Sequence, residues 1–132
     1  MVLGGVTIAT TTSGLRVCET ASPPTFYLPP SDVEADVLEL TTSSSACEWK
    51  GRAVYFTVAS GDRREVDAAW CYPRPNPAYR ALAGYVSFYA GCMDACFVDD
   101  ELVIPQPGDY YGGWVTSAVV GPFKGAAGTL GW

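Results

Sequence analysis

The fold is decided by Ala53-Val54-Tyr55-Phe56-Thr57-Val58-Ala59-Ser60-Gly61-Asp62-Arg63-Arg64-Glu65-Val66-Asp67-Ala68-Ala69-Trp70-Cys71-Tyr72. Ala53–Ala59 is rich in β-branched and aromatic residues. Ser60-Gly61-Asp62 follows at the spacing of a hairpin turn. In the second arm, Arg64–Tyr72, the period of two puts Val66, Ala68, Trp70 and Tyr72 on one face. Asp67, Ala69 and Cys71 take the other. Outward from this hairpin, further short runs read as strands: Val6–Thr10, Leu15–Glu19, Thr25–Leu28, Gly84–Ala90, Leu102–Ile104 and Trp114–Val120. In Gly84–Ala90, Tyr85, Ser87 and Tyr89 oppose Val86 and Phe88, so this strand is expected to be covered on both sides. The fold class is mainly β, a compact antiparallel domain.

One short helix is expected near residues 31–38. Pro29 and Pro30 precede Ser31-Asp32-Val33-Glu34, which has capping-box spacing, and Val33, Val37 and Leu38 would share its buried face. Asp32 then serves as a cap. Thr41–Ser45 reads as a polar loop, and Pro73–Pro77 as an extended connection. From Pro105 onward there are seven glycines in 28 residues, with Tyr110, Tyr111, Trp114, Phe123 and Trp132 among them. The expected organisation is a single β-rich domain over residues 1–104. A Gly/aromatic extension, residues 105–132, would pack on it with aromatics as anchors and glycines as bends.

The 132 residues suit one domain, and a hydrophobic content of 48 % excludes a disordered chain. Charged residues are 17 %, against about 25 % in an average domain. Fewer charges leave apolar or aromatic surface for a ligand or partner to cover. The net charge is −6, with two lysines and six arginines and no basic run. Nucleic acid and anionic membrane are therefore poor partners, because both require clustered cations. Met1–Thr12 lacks the charged start and long apolar core of a signal peptide, and no run approaches a membrane span. A cytoplasmic location is the expectation, with Cys18, Cys47, Cys71, Cys92 and Cys96 as thiols. There is no histidine. That removes the commonest general base and the His-paired nucleophiles.

Lys50 and Lys124 are the only lysines, and each follows an aromatic residue and precedes glycine. An ammonium beside a ring can hold an anionic group, or it can snorkel toward a nearby acid. Trp70 and Tyr72 share a face next to two alanines, as in an aromatic ligand wall or a tightly packed core. Cys92-x3-Cys96 with Cys47 and Cys71 offers four thiolates, but Cys47 and Cys71 have no close-spaced partners, so no metal site is read. A catalytic thiol lacks a histidine to activate it. Glu19, at a strand end, could face Lys50. Asp99-Asp100-Glu101 reads as a solvated turn. Gly121–Thr129 lacks the order of a phosphate-binding loop.

Several of these stretches together resemble a known family. They are Arg16-Val17-Cys18-Glu19, Pro23-Pro24-x-x-Tyr27-x-Pro29, Asp32-Val33 and Cys47-x-x-Lys50-Gly51-x-Ala53-x-Tyr55. Ala69-Trp70-x-Tyr72-Pro73-x-Pro75 and Ala83-Gly84-x-x-x-Phe88-Tyr89 complete the set. In order and spacing they resemble the family named domain of unknown function 427, over about Leu15 to Asp94. The resemblance implies a β-tent-like arrangement of two antiparallel sheets pinned at one edge, and no established reaction. A nucleotidyltransferase label attaches to some members, but the Gly-Ser and Asp-x-Asp pattern of that chemistry is absent here. Cys71 stands where the family pattern has Ser. The paired Cys-x-x-Cys knuckles that hold zinc in many β-tent folds are also missing.

The reading that follows is a small-ligand-binding domain. Its pocket would be formed by Glu19, Tyr27, Lys50, Tyr55, Trp70, Tyr72 and Tyr89, with Lys50 and Glu19 as polar fixtures and no metal or cofactor. One rival is an interaction or homodimerisation module using the Gly/aromatic tail, the chain being otherwise monomeric. The other is a metal-independent acid–base enzyme using Lys50, Glu19 or a tyrosine hydroxyl.

Overall fold

The structure is a computed structural model that describes residues 1–18, 23–47, 49–107 and 112–118. Twelve strands are defined among these residues. They are β1 (Val2–Leu3), β2 (Val6–Thr7), β3 (Leu15–Val17), β4 (Thr25–Tyr27), β5 (Leu38–Cys47) and β6 (Gly51–Ser60). Then come β7 (Arg63–Cys71), β8 (Val86–Phe88), β9 (Phe97–Val98), β10 (Glu101–Leu102), β11 (Ile104–Pro105) and β12 (Trp114–Val115). The central sheet is antiparallel, in the order β5-β6-β7-β8. Four two-stranded antiparallel ribbons surround it: β1-β2, β3-β4, β9-β10 and β11-β12. The fold is mainly β, and its sheets do not close into a barrel.

The hairpin turn falls as expected. Ser60 pairs with Arg63, leaving Gly61-Asp62 as the loop. Gly61 has φ +57°, and a Cβ there would lie 2.8 Å from the Gly4 carbonyl oxygen, so both its backbone angle and its neighbour favour glycine. The β3-β4 ribbon is fastened to β8 by reciprocal backbone hydrogen bonds between Leu28 and Val86, at 2.8 and 2.9 Å. Val86, Ser87 and Phe88 are all buried, so β8 is covered on both faces.

Three local expectations need correction. The helical segment is one 3₁₀ turn, Pro30–Asp32, and Val33 is already extended. Its cap makes no side-chain hydrogen bond. Asp32 instead accepts the Thr11 hydroxyl at 2.6 Å. Val33 and Val37 are buried without a helix, through core packing. Thr41–Ser45 is not a loop but part of the edge strand β5, which pairs with β6 through Ser44 and Ser45 after a register shift at Leu40. The strict alternation along β7 also fails. The pairing shifts from Phe56↔Ala69 to Val58↔Glu65, which leaves Val66–Ala68 as a bulge opposite Thr57. Asp67 sits there at φ +54°. Val66 is consequently 67 % exposed, while Ala68 and Ala69 are both buried.

The two faces of the central sheet have different chemistry. One carries an aliphatic core that includes Leu3, Ile8, Val58, Ala69, Val86 and Phe88. The other carries Tyr27, Ala53, Trp70, Tyr72 and Leu82, with Tyr55, Tyr79, Tyr85 and Tyr89 packed at the margin. Fully burying one ring such as Phe88 contributes about 1.5–3 kcal/mol. Of the described part of the 105–132 segment, Gly112 lies against Trp70 on the aromatic side, whereas Trp114 joins the aliphatic core. Trp114 is buried, donates its indole N–H to the Phe88 carbonyl at 3.1 Å, and packs 5.2 Å from the Phe26 ring. Tyr110, Tyr111, Phe123, Lys124 and Trp132 lie outside the described residues. No helix among the described residues is long and apolar enough to cross a membrane.

Candidate functional site

The aromatic side of the sheet is a row of touching rings. Tyr89 lies 4.6 Å from Trp70, centroid to centroid, in a tilted contact. Trp70 meets Tyr27 edge-on at 6.4 Å, and Tyr27 meets Tyr72 at 6.3 Å. The row ends at Lys50, whose Nζ stands 5.9 Å from the Tyr72 ring centroid. Trp70 and Lys50 therefore belong to the same side of the core. Lys50 is 6 % exposed. It is placed by the Trp49–Lys50 turn, which Asn76 clamps from the Pro-rich connection. The Asn76 backbone N–H donates to the Lys50 carbonyl at 2.9 Å, and its side-chain amide donates to the Trp49 carbonyl at 3.0 Å. Gly51 follows at φ +112°.

Tyr27, Trp70 and Tyr72 are 1 %, 7 % and 6 % exposed. They are close-packed core. Gly112 lies flat on the Trp70 indole, and a Cβ at that position would come 2.2 Å from Cη2. Tyr55 and Tyr89 differ. Both are half-buried and line an open cleft of about 710 Å³ beside the row. Glu19 lies outside the described residues, so its placement relative to Lys50 is not described. Of the seven sequence-predicted residues, the structure brings Tyr55 and Tyr89 to the cleft. Tyr27, Trp70 and Tyr72 stand behind it, and Lys50 is at the far end of the row.

Cys92, weighed in the sequence as a thiolate ligand, also lines the cleft, and the rest comes from residues that the sequence did not single out as a site. Asp67 accepts the Thr41 hydroxyl through Oδ1 and the Ser43 hydroxyl through Oδ2, each at 2.7 Å. Thr41 also lies 3.3 Å from the Tyr55 carbonyl. These contacts are made because β5 and β7 each carry a register irregularity flanking the same stretch of β6. The Tyr55 hydroxyl is hydrogen-bonded to that of Ser45 at 2.9 Å. On the opposite wall, the buried Gln106 accepts the Gly113 N–H at 3.1 Å through Oε1. Gln106 also donates its backbone N–H to the Gly113 carbonyl at 3.0 Å. This pairing holds the Gly112–Gly113 strap over Trp70. Asp67 carried no signal of its own, because Val66, Ala68, Trp70 and Tyr72 read as an unbroken alternation. For Ser43 there was none, since Ser/Thr runs read as loops.

Two of the thiols are held neutral by burial. All five cysteines are unbridged. Burial pushes the Cys71 thiol up, and pushes Cys96 up to about 12. No group of three or more Cys, Asp or Glu side chains among the described residues is arranged to hold a metal ion. A second cleft, of about 750 Å³, lies elsewhere between Arg16, Phe26, Phe97, Asp99 and Trp114.

The class of protein is thus an antiparallel β domain with an aromatic row on one face of its sheet and a cleft at one end of that row. The chain belongs to the family described as domain of unknown function (DUF427), whose model matches residues 1–99. That match is wider than the Leu15–Asp94 stretch carrying the sequence resemblance, and it ends before β10. No curated protein is similar enough to the chain to match it.

Proposed function

We propose that the protein binds a small organic ligand in the cleft between Tyr55 and Tyr89. The observation that carries this reading is the state of the two rings. They are half-exposed yet fixed, Tyr55 by Ser45 and Tyr89 by Trp70. Exposed aromatics held in position are costly in solvent and useful against a ligand face. The volume of about 710 Å³ falls in the range of roughly 300–1,000 Å³ usual for small-molecule sites. Behind the walls, Tyr27, Trp70 and Tyr72 act as a rigid backing. Lys50 belongs to this reading only as a group at the far end of the row, where it steadies the Tyr72 ring, and Glu19 lies outside the described residues.

A metabolite screen by thermal shift tests the proposal, because a ligand that binds only the native state raises its stability by mass action. Hits should raise the melting temperature of the wild type and lose that effect in Tyr55→Leu. A screen in which hits stabilise both proteins equally would place the ligand elsewhere.

A further inference from the structure

Resting on the cleft reading above, we propose that its ligand is a small organic cation, an ammonium or guanidinium compound, held against the Asp67 carboxylate and the Tyr55 and Tyr89 rings. Among the described residues lining the cleft, Asp67 is the one side chain that carries charge at neutral pH. No lysine or arginine is among them. The nearest polar groups also present acceptors. Thr41 and Ser43 both direct their hydroxyl hydrogens to Asp67, so the Ser43 oxygen faces the cleft with lone pairs. Each Asp67 oxygen accepts one hydroxyl and keeps room for a second donor. An anionic ligand would meet a carboxylate here with no cationic side chain among the described lining residues to offset it. A neutral polyol would need donors as well as acceptors.

The rings fit the same ligand chemistry. A cation over a tyrosine face is attracted by the ring's quadrupole, and two tyrosine rings and a carboxylate line this one cleft. The carboxylate is also held in place before any ligand arrives. Asp67 sits at left-handed φ in the β7 bulge, and its two hydroxyl partners belong to β5 on the other side of β6. A group tied down across three strands loses little freedom on binding.

The test is an NMR titration of the full-length protein with two matched pairs of probes. Choline is paired with its uncharged isostere 3,3-dimethylbutan-1-ol, and putrescine with butane-1,4-diol. The expected result is that at least one cation shifts the Tyr55 and Tyr89 ring signals with an affinity about tenfold or more above that of its neutral partner. That preference should shrink as sodium chloride is added, and it should be lost in Asp67→Asn. The isostere and salt arms use the wild type, so they stand even if the variant does not fold. Neutral partners that bind as tightly as the cations would overturn the cation proposal and leave the cleft as a ligand site. So would a folded Asp67→Asn with unchanged cation affinity. If neither pair shifts these rings, the cation proposal falls. If the metabolite screen also finds no ligand there, the cleft reading falls with it.

Discussion

Asp67 on β7 reaches past the intervening strand β6 to accept the hydroxyl of Thr41 on β5, at 2.7 Å. Strands two apart in a sheet are separated by about 9.5 Å, too far for these side chains on regular backbone. The bulge on β7 and the register shift on β5 make the contact possible. Asp67→Ala would lose both hydroxyl contacts and leave a β-carbon at left-handed φ, so it should lower stability by about 2 kcal/mol. Asp67→Gly should cost less, because glycine accepts that φ freely. Urea unfolding of the two variants checks the order, and equal losses would mean that the backbone angle is unimportant.

Ser87 is fully buried, and its hydroxyl has no hydrogen-bond partner among the described residues. It pairs with Trp70 across β7 and β8. Burying an unpartnered hydroxyl is unfavourable by about 1–3 kcal/mol. Ser87→Ala should therefore hold or raise the urea midpoint at unchanged slope, where most core substitutions lower it. A drop comparable to a cavity mutation would show that the hydroxyl is satisfied in solution.

Gly112 has no room for a side chain against Trp70. Gly112→Ala should push the strap off the indole, cost about 1–3 kcal/mol, and shift Trp70 fluorescence to the red as water enters. Unchanged fluorescence with lowered stability would mean that the strap still covers the indole.

Burial raises the pKa of Cys96 from 9.0 to about 12, and raises that of Cys71 in the same direction. The folded state thus holds these thiols neutral above the pH at which the unfolded chain ionises. Their contribution is fully present below pH 9 and is lost as pH rises from about 9 toward the folded value, at about 1 kcal/mol per pH unit per thiol. Chemical denaturation at pH 8 and at pH 10 should show a fall that Cys96→Ser reduces. At neutral pH the exposed Cys18 should react with thiol reagents well before either buried thiol.

The hairpin of β6 and β7 was legible because its turn chemistry and its period of two agree. Burial of β8 on both faces was legible for a similar reason: aromatics fell on both sides of the alternation. The family was legible from spaced polar and aromatic residues such as Lys50-Gly51 and Trp70-x-Tyr72-Pro73. The helix shrank to a 3₁₀ turn because Val33 finds its burial in extended backbone and Val37 in the bend after the Ala35–Asp36 turn. The site was only partly legible. Tyr55 and Tyr89 could be chosen as aromatics, but solvent access depends on where the Gly112–Gly113 strap stops, and that is a long-range property. Asp67 was hidden because a bulge changes which face a residue takes, and one chain's alternation pattern does not announce a two-strand irregularity.

Lys50 separates the two ends of the aromatic row. If the cleft is the site, Lys50→Ala should lower the melting temperature, since it removes a buried stem and a cation from the Tyr72 ring. It should leave the affinity of a cleft ligand within about twofold, as expected for sites without shared partners. Loss of binding in a folded Lys50→Ala would move the site to that end.

The most direct test is a crystal structure of the protein with the strongest hit of the thermal-shift screen. The account predicts the ligand between Tyr55 and Tyr89, with a polar atom within hydrogen-bonding distance of Asp67. A ligand lodged beside Lys50, or in the cleft of Arg16 and Phe26, with the Tyr55–Tyr89 cleft holding only water, would contradict it.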